Sequence, residues 1–286
     1  MYLKLRREII FLNLTPTSRG RWFSMVIVLV VNDDGVDSIG LRVLVEELSQ
    51  SGFKVYVVTP AYQMSGLSKT ISFYRFGRDG RIWFKKVNMK GALECWALNA
   101  TPAESVLLAL SLLKEKPEIM ISGINSGPNL GLEDILTSGT VGAALEAYLH
   151  GIPAIAVSLA HNGSVSSEDY RVSAKVTSKL ANHMIECFRG ELWLLNVNIP
   201  LNPRGVIITR PAINTYRTKF RLAGEVIEVQ RESLEERYWD REIGTDVWAI
   251  LNGYISITPL EPFKILNPDV RFKSKLEDIS RRLLES

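Results

Sequence analysis

The run Val26-Ile27-Val28-Leu29-Val30-Val31, closed by Asn32-Asp33-Asp34-Gly35, decides the fold. Six consecutive aliphatic residues without polar alternation read as a β-strand buried on both faces, and turn-forming residues end it. Beyond the turn, Leu41, Val43, Leu44, Val45 and Leu48 recur at helical spacing until Ser51-Gly52 stops the pattern. Val55 to Val58, closed by Thr59-Pro60, reads as a second buried strand. A strand–helix–strand unit of this kind implies a parallel sheet with right-handed crossovers.

Further along, residues Ser65 to Met89 read as loop and hairpin, with a turn at Gly77-Arg78-Asp79-Gly80. Thr101-Pro102 opens a helix whose apolar body is Val106 to Leu113. Glu118 to Ser122 is a third core strand, Gly123 to Ser138 a glycine-rich loop, and Thr140 to Leu149 a helix of small residues. A strand at Ala154 to Val157, a helix around Val172 to Phe188 and a strand at Leu192 to Val197 complete the wound part. After Pro200 the texture changes. Val206 to Thr209, Glu225 to Val229 and Val247 to Ile250 read as strands around a charged stretch from Arg217 to Glu242, either a projecting arm or a solvated edge. A last helix is expected over Lys273 to Leu284.

Of the 286 residues, 46% are hydrophobic and 23% charged, a globular balance that excludes long disorder and collagen-like or coiled-coil architectures. No uncharged apolar run is long enough for a transmembrane helix. The formal net charge of +3 suggests an anionic partner until its distribution is read. Residues 1–24 carry Lys4, Arg6, Arg7, Arg19 and Arg21 against Glu8 alone, while the other 262 residues carry 29 basic and 30 acidic groups. The body is near neutrality, so duplex nucleic acid is not an expected partner. Cys95 and Cys187 lack metal or disulfide spacing, and a reducing, cytoplasmic setting without a membrane anchor is the expectation.

Three polar clusters fall where parallel strands finish: Asn32-Asp33-Asp34-Gly35, Ser65-Gly66, and Ser122-Gly123-Ile124-Asn125-Ser126-Gly127-Pro128-Asn129. Open parallel sheets bind ligands beyond the carboxyl ends of their strands. Adjacent carboxylates repel unless a cation or a shared proton intervenes, and hard divalent cations prefer carboxylate, amide and hydroxyl oxygens. Asp33, Asp34, Ser65 and Asn125 supply such a set. The plainer alternative is that the two aspartates cap the following helix and bind water. Ser138-Gly139-Thr140 opens a helix, whose free N–H groups suit a phosphate; the alternative there is simple capping by Ser138 or Thr140. A cation beside an anion cradle is the equipment of phosphoryl transfer.

Other templates fail. Gly66-Leu67-Ser68-Lys69-Thr70 resembles the end of a P-loop but has Ser68 and Gln63 where glycines belong. Asn32 stands where an aspartyl-phosphate phosphatase carries its nucleophile, and no Gly-x-Ser-x-Gly elbow exists. His150, His161 and His183 are scattered, with His150 at a helix end and the other two expected at the surface or boundary.

Taken together, these clusters closely resemble the SurE survival-protein family of nucleotidases. Ser138-Gly139-Thr140, Leu195-Asn196-Val197-Asn198-Ile199-Pro200, Gly244-Thr245-Asp246 and Gly253-Tyr254-Ile255-Ser256-Ile257-Thr258-Pro259-Leu260 extend the match, in order, from about Met25 to Leu260. The resemblance implies a Rossmann-like three-layer α/β/α core over residues 25–210. Residues 211–286 would then hold a β-arm, returning strands and a C-terminal oligomerisation helix. It implies a metal-dependent phosphatase for nucleoside monophosphates, a 5′-nucleotidase that also accepts 3′ esters. One Mg²⁺ or Mn²⁺ is expected, and the family's metal ligands fall on Asp33, Asp34, Ser65 and Asn125. Asp33 and Asp34 are the catalytic candidates; Asn32, Gly66, Ser138, Gly139 and Thr140 are the candidates for substrate or phosphate. A dimer or tetramer formed by exchange of C-terminal elements follows from the same resemblance. Alternatives are a broad acid phosphatase, an exopolyphosphatase or a non-catalytic nucleotide-binding module. Two departures stand out. Glu104 occupies the position of the family's usual Asp, and residues 1–24 have no counterpart, for which an upstream mis-chosen start codon is a hypothesis.

Overall fold

Val28, Leu29, Val30 and Val31 have no exposed surface, because β1 (Ile27–Val31) is covered by helices on both sides of the sheet. The computed structural model describes residues 26–74, 79–214, 220–229 and 238–262. The basic N-terminal residues 1–24, half of the Gly77–Gly80 turn and the expected last helix lie outside the described residues.

Eight more strands join β1 in one sheet. They are β2 (Lys54–Pro60), β3 (Phe84–Lys86), β4 (Ala92–Leu98), β5 (Ile119–Ser126), β6 (Ala154–Ala160), β7 (Leu194–Pro200), β8 (Val206–Ile208) and β11 (Ile255–Pro259). The order is β3-β4-β2-β1-β5-β6-β7-β11-β8. From β4 to β7 every pairing is parallel; β3 and β11 run antiparallel to β4 and β7. The chain first winds outward from β1 through β2 to β4, then returns to β5 on the other side of β1. The β1–β5 boundary is therefore the switch point, where the connecting loops diverge and leave a crevice.

Alternate residues of β1 serve two cores. Val28 and Val30 pack with Leu41 and Leu44 of α1 (Ile39–Gln50) and Tyr170 and Ala174 of α5 (Ser167–Cys187). Leu29 and Val31 pack with Val106 of α2 (Pro102–Leu112) and Val141 and Ala144 of α4 (Gly139–Leu149). This is the expected three-layer α/β/α sandwich.

Several element readings change. Residues Gly123 to Ser138 are not all loop: β5 continues to Ser126, and α3 (Gly131–Thr137) follows. Here a tertiary hydrogen bond overrides a glycine-rich local pattern, since Asp246 accepts the Gly131 N–H, while Asp134 within the helix accepts that of Leu130. Val247 to Ile250 is helical, within α6 (Asp246–Leu251), because Thr245 accepts the Trp248 N–H as an N-cap. Helix α5 begins earlier than its apolar pattern, at a capping box between Ser166 and Asp169. The described part of the charged arm is a hairpin, β9 (Phe220–Ala223) with β10 (Val226–Val229).

Candidate active site

β1 delivers Asn32, Asp33 and Asp34 to the switch point. Asn32 is fully buried and its side chain is engaged within the protein. Its Nδ2 donates to Gly35 O and Ser38 Oγ, both at 3.0 Å, and its Oδ1 accepts from Thr59 Oγ1. Asn32 thereby braces the turn that carries the aspartates. The aspartates do not cap α1. Ser38 does so, accepting the Leu41 N–H at 3.2 Å.

Asp33 is set against the N-terminus of α4. Its carboxylate accepts Thr140 Oγ1–H at 2.5 Å and the backbone N–H groups of Gly139 and Thr140. A Cβ on Gly139 would lie 2.9 Å from Asp33 Cβ and Oδ2, so glycine is required for this approach. Burial pushes the Asp33 carboxyl above its ordinary pKa, and the hydrogen bonds oppose that. Asp34, half-buried beside it, is pushed up to about 7 by burial and then by the Asp33 charge, against one hydrogen bond from Ser126 N–H at 3.0 Å.

Two backbone hydrogen bonds bring the remaining candidates to this pair. Met64 N–H donates to Asp33 O at 2.7 Å, so the next residue, Ser65, arrives beside the aspartates. The Ser126–Asp34 bond does the same for Asn125, whose Nδ2 donates to Gly127 O at 2.8 Å and leaves Oδ1 as the available end. Ser65 is exposed, and its Oγ accepts from Gln63 Nε2 at 3.2 Å. Gly66 follows with a left-handed backbone and no atom within 4 Å of a Cβ position. Among the described residues no three His, Cys, Asp or Glu side chains gather at one point. A cation here would have to complete its sphere with the Asn125 amide, the Ser65 hydroxyl and water. The residues fit that role: two desolvated carboxylates, with Asp34 raised first by burial and then by the Asp33 charge, form an all-oxygen donor set for a hard cation.

The two hydroxyls at this helix start play different parts: Thr140 donates its O–H to Asp33, whereas Ser138 Oγ acts as an acceptor. Ser138 Oγ accepts the Val141 N–H at 3.1 Å as the α4 cap, and Thr140 is fully buried against Asp33. With Gly139 and Thr140 N–H also turned to Asp33, this helix terminus holds a carboxylate.

The family model described as Survival protein SurE matches residues 28–218. The chain belongs to the SurE family. It is 37% identical to "5'-nucleotidase SurE" of Archaeoglobus fulgidus over 252 residues, covering 82% of this chain and 90% of the relative. The protein of that name from Symbiobacterium thermophilum is 38% identical over 255 residues, covering 82% and 92%. Among solved structures, SurE from Aquifex aeolicus matches with TM-score 0.71 and 31% identity, covering 91% of this chain and all of the other.

The remaining SurE motifs act as braces. Asn196 and Asn198 on β7 both donate to Asn129 O, at 2.9 and 3.0 Å, and Asn198 Oδ1 accepts the Asn129 N–H, fixing the loop that follows Asn125. Asp246 accepts N–H groups from Gly131 and Ala212, tying α3 to the segment after β8. Burial is the main reason its carboxyl is pushed up to about 6. Glu104 is buried and divides its oxygens: Oε1 accepts the Ser72 N–H and hydroxyl, and Oε2 accepts the Thr101 N–H at 2.8 Å. The longer side chain thus pins the Ser65–Ser72 loop to α2. The same loop is held at its middle by Ser68 N–H to Thr137 O at 2.9 Å and by the Lys69–Glu146 ion pair.

Sequence reasoning missed His161 and Tyr170. His161 Nε2 lies 3.1 Å from Ser126 Oγ, and Tyr170 hydrogen-bonds the same serine, so both steady the residue that bonds Asp34. The usable signal was position. His161 directly follows β6, at the same sheet edge as the aspartates.

Proposed function

We propose that this chain is a divalent-metal-dependent phosphomonoesterase that releases phosphate from nucleoside monophosphates, as a 5′-nucleotidase with 3′ esters accepted. The observation that carries the reading is the Asp33–Asp34 pair at the switch point, with Asn125 and Ser65 brought to it by hydrogen bonds of their neighbours. The relatives named as 5'-nucleotidases support the substrate class.

In this reading Asp33, Asp34, Asn125 and Ser65 hold one Mg²⁺ or Mn²⁺. Bound there, such a cation polarises a phosphoryl oxygen and makes a neighbouring water more acidic. The protein's own residues set the geometry. Thr140, Gly139 and Met64 fix Asp33 in one orientation, while Asp34 has a single N–H partner and keeps an oxygen for water or substrate. Gly66, bare of side chain beside Ser65, is where a phosphate meets backbone in this reading. Uncatalysed phosphate monoesters are so slow that accelerations up to about 10²¹-fold are known, and preorganised charge is the largest available contribution.

The reading includes self-assembly and a cytoplasmic setting. Phe220, Leu222, Ile227 and Val229 share one face of the β9–β10 hairpin, each at least 60% exposed, and an isolated two-stranded ribbon is marginal in water. A second copy of the chain is the natural cover. Both cysteines are free, which suits a reducing compartment. Among the described residues no helix is long and apolar enough to cross a membrane.

The test is phosphate release from nucleoside 5′- and 3′-monophosphates and polyphosphate, with Mg²⁺, Mn²⁺ or chelator, on protein sized by light scattering. The expected result is metal-dependent turnover favouring mononucleotides by an oligomer. Turnover unaffected by chelation contradicts the mechanism, polyphosphate preference contradicts the substrate class, and a monomer contradicts self-assembly.

A further inference from the structure

Two aromatic rings at the edge of the sheet that carries the aspartates are left open to solvent. Tyr62 is 68% exposed and Trp83 47% exposed, and their rings meet edge-on with centroids 6.5 Å apart at an interplanar angle of 72°. Rings of this size are mostly buried in folded proteins, so an exposed adjoining pair marks a contact surface.

Their position says what that surface contacts. Tyr62 is the second residue beyond β2, next to β1 in the sheet. A Cβ built on Gly35, the residue after Asp34, would lie 3.0 Å from the Tyr62 carbonyl carbon and 3.2 Å from its Cα. Tyr62 therefore rises from backbone packed directly on the carboxylate turn, three residues before Ser65. Trp83 precedes β3, whose register sets Phe84 opposite Leu98. The Trp83 carbonyl accepts the Asn99 N–H at 3.1 Å, level with the carboxyl end of β4. Both rings thus stand at the same sheet edge as Asp33 and Asp34, on the β2–β4 side of the switch.

We infer that Tyr62 and Trp83 form a stacking platform for the base of a nucleotide whose phosphate lies at the Asp33–Asp34 pair; the inference rests on the nucleotidase reading above. The edge-on geometry leaves ring face uncovered. The nearby Phe84–Trp96 pair, stacked at 5.0 Å and 18°, instead turns one face of each ring onto the other. Aromatic stacking tolerates every base because every base has a π-face. A platform without hydrogen-bonding selectivity holds all four bases and favours the larger purine ring system.

The experiment compares adenosine 5′-monophosphate with ribose 5-phosphate, the same ester without a base, using full-length protein with Mn²⁺. In Tyr62→Ala and Trp83→Ala the ratio of kcat/KM for the nucleotide to that for ribose 5-phosphate falls about tenfold, mainly through a higher nucleotide KM. Tyr62→Phe keeps the ring and keeps the ratio. Alanine variants that hydrolyse both esters with the wild-type ratio overturn the platform and leave the nucleotidase reading intact. A wild-type protein that hydrolyses neither ester overturns that reading and the platform with it.

Discussion

Asp34→Asn is expected to lower kcat/KM by about 10³-fold or more while the metal-free protein becomes no less stable. The two effects have one cause. Asp34 is desolvated beside Asp33, so its charge is disfavoured and its carboxyl is pushed up to about 7. A carboxyl raised in this way binds its proton more tightly in the folded state than in the unfolded one. Its contribution to stability is therefore complete below the ordinary value of 3.8 and is lost as pH rises to about 7. Asparagine is neutral, has nearly the same shape, and retains an acceptor for the Ser126 N–H. It relieves the like-charge contact and removes an anionic donor from the proposed metal site. Initial rates with saturating Mn²⁺ and thermal melts in chelator measure both halves. An active variant, or an inactive one that melts well below wild type, contradicts the argument.

Gly139→Ala is the second large effect. The added methyl would sit 2.9 Å from both Asp33 Cβ and Oδ2, and Asp33 has little freedom to withdraw. Its carboxylate is bonded to Thr140 Oγ1 and its own carbonyl to Met64 N–H. Relief therefore has to come from moving the carboxylate or the first turn of α4. The expected outcome is a loss of about 10²-fold in kcat/KM together with about 1–3 kcal/mol of stability. Steady-state kinetics and urea unfolding check it. Wild-type kinetics in this variant would show that the Asp33 carboxylate is not fixed against the helix.

The sandwich was legible because β1 is an unbroken aliphatic run, which a strand covered on both faces explains, and Val55, Val57 and Val58 mark β2 beside it. The aspartates were legible because they stand directly at the end of such a strand. What the sequence hid depends on contacts distant along the chain. Helix α3 was lost in a glycine-rich stretch because its start is fixed by Asp246, 115 residues after Gly131. The hydrogen bonds of Asn32 to Thr59 and of Thr140 to Asp33 were hidden in the same way, since each joins residues far apart in sequence. His161 carried no local pattern at all. Its place near the site exists only because β6 lies beside β5.

Everything proposed for the chemistry turns on the Asp33–Asp34 pair binding one hard divalent cation. Equilibrium dialysis of chelator-stripped protein against Mn²⁺, with metal counted per chain, tests it most directly. One Mn²⁺ per wild-type chain is expected, with affinity at least about 100-fold weaker in Asp34→Asn. Equal binding by wild type and variant, or no binding by either, would contradict it.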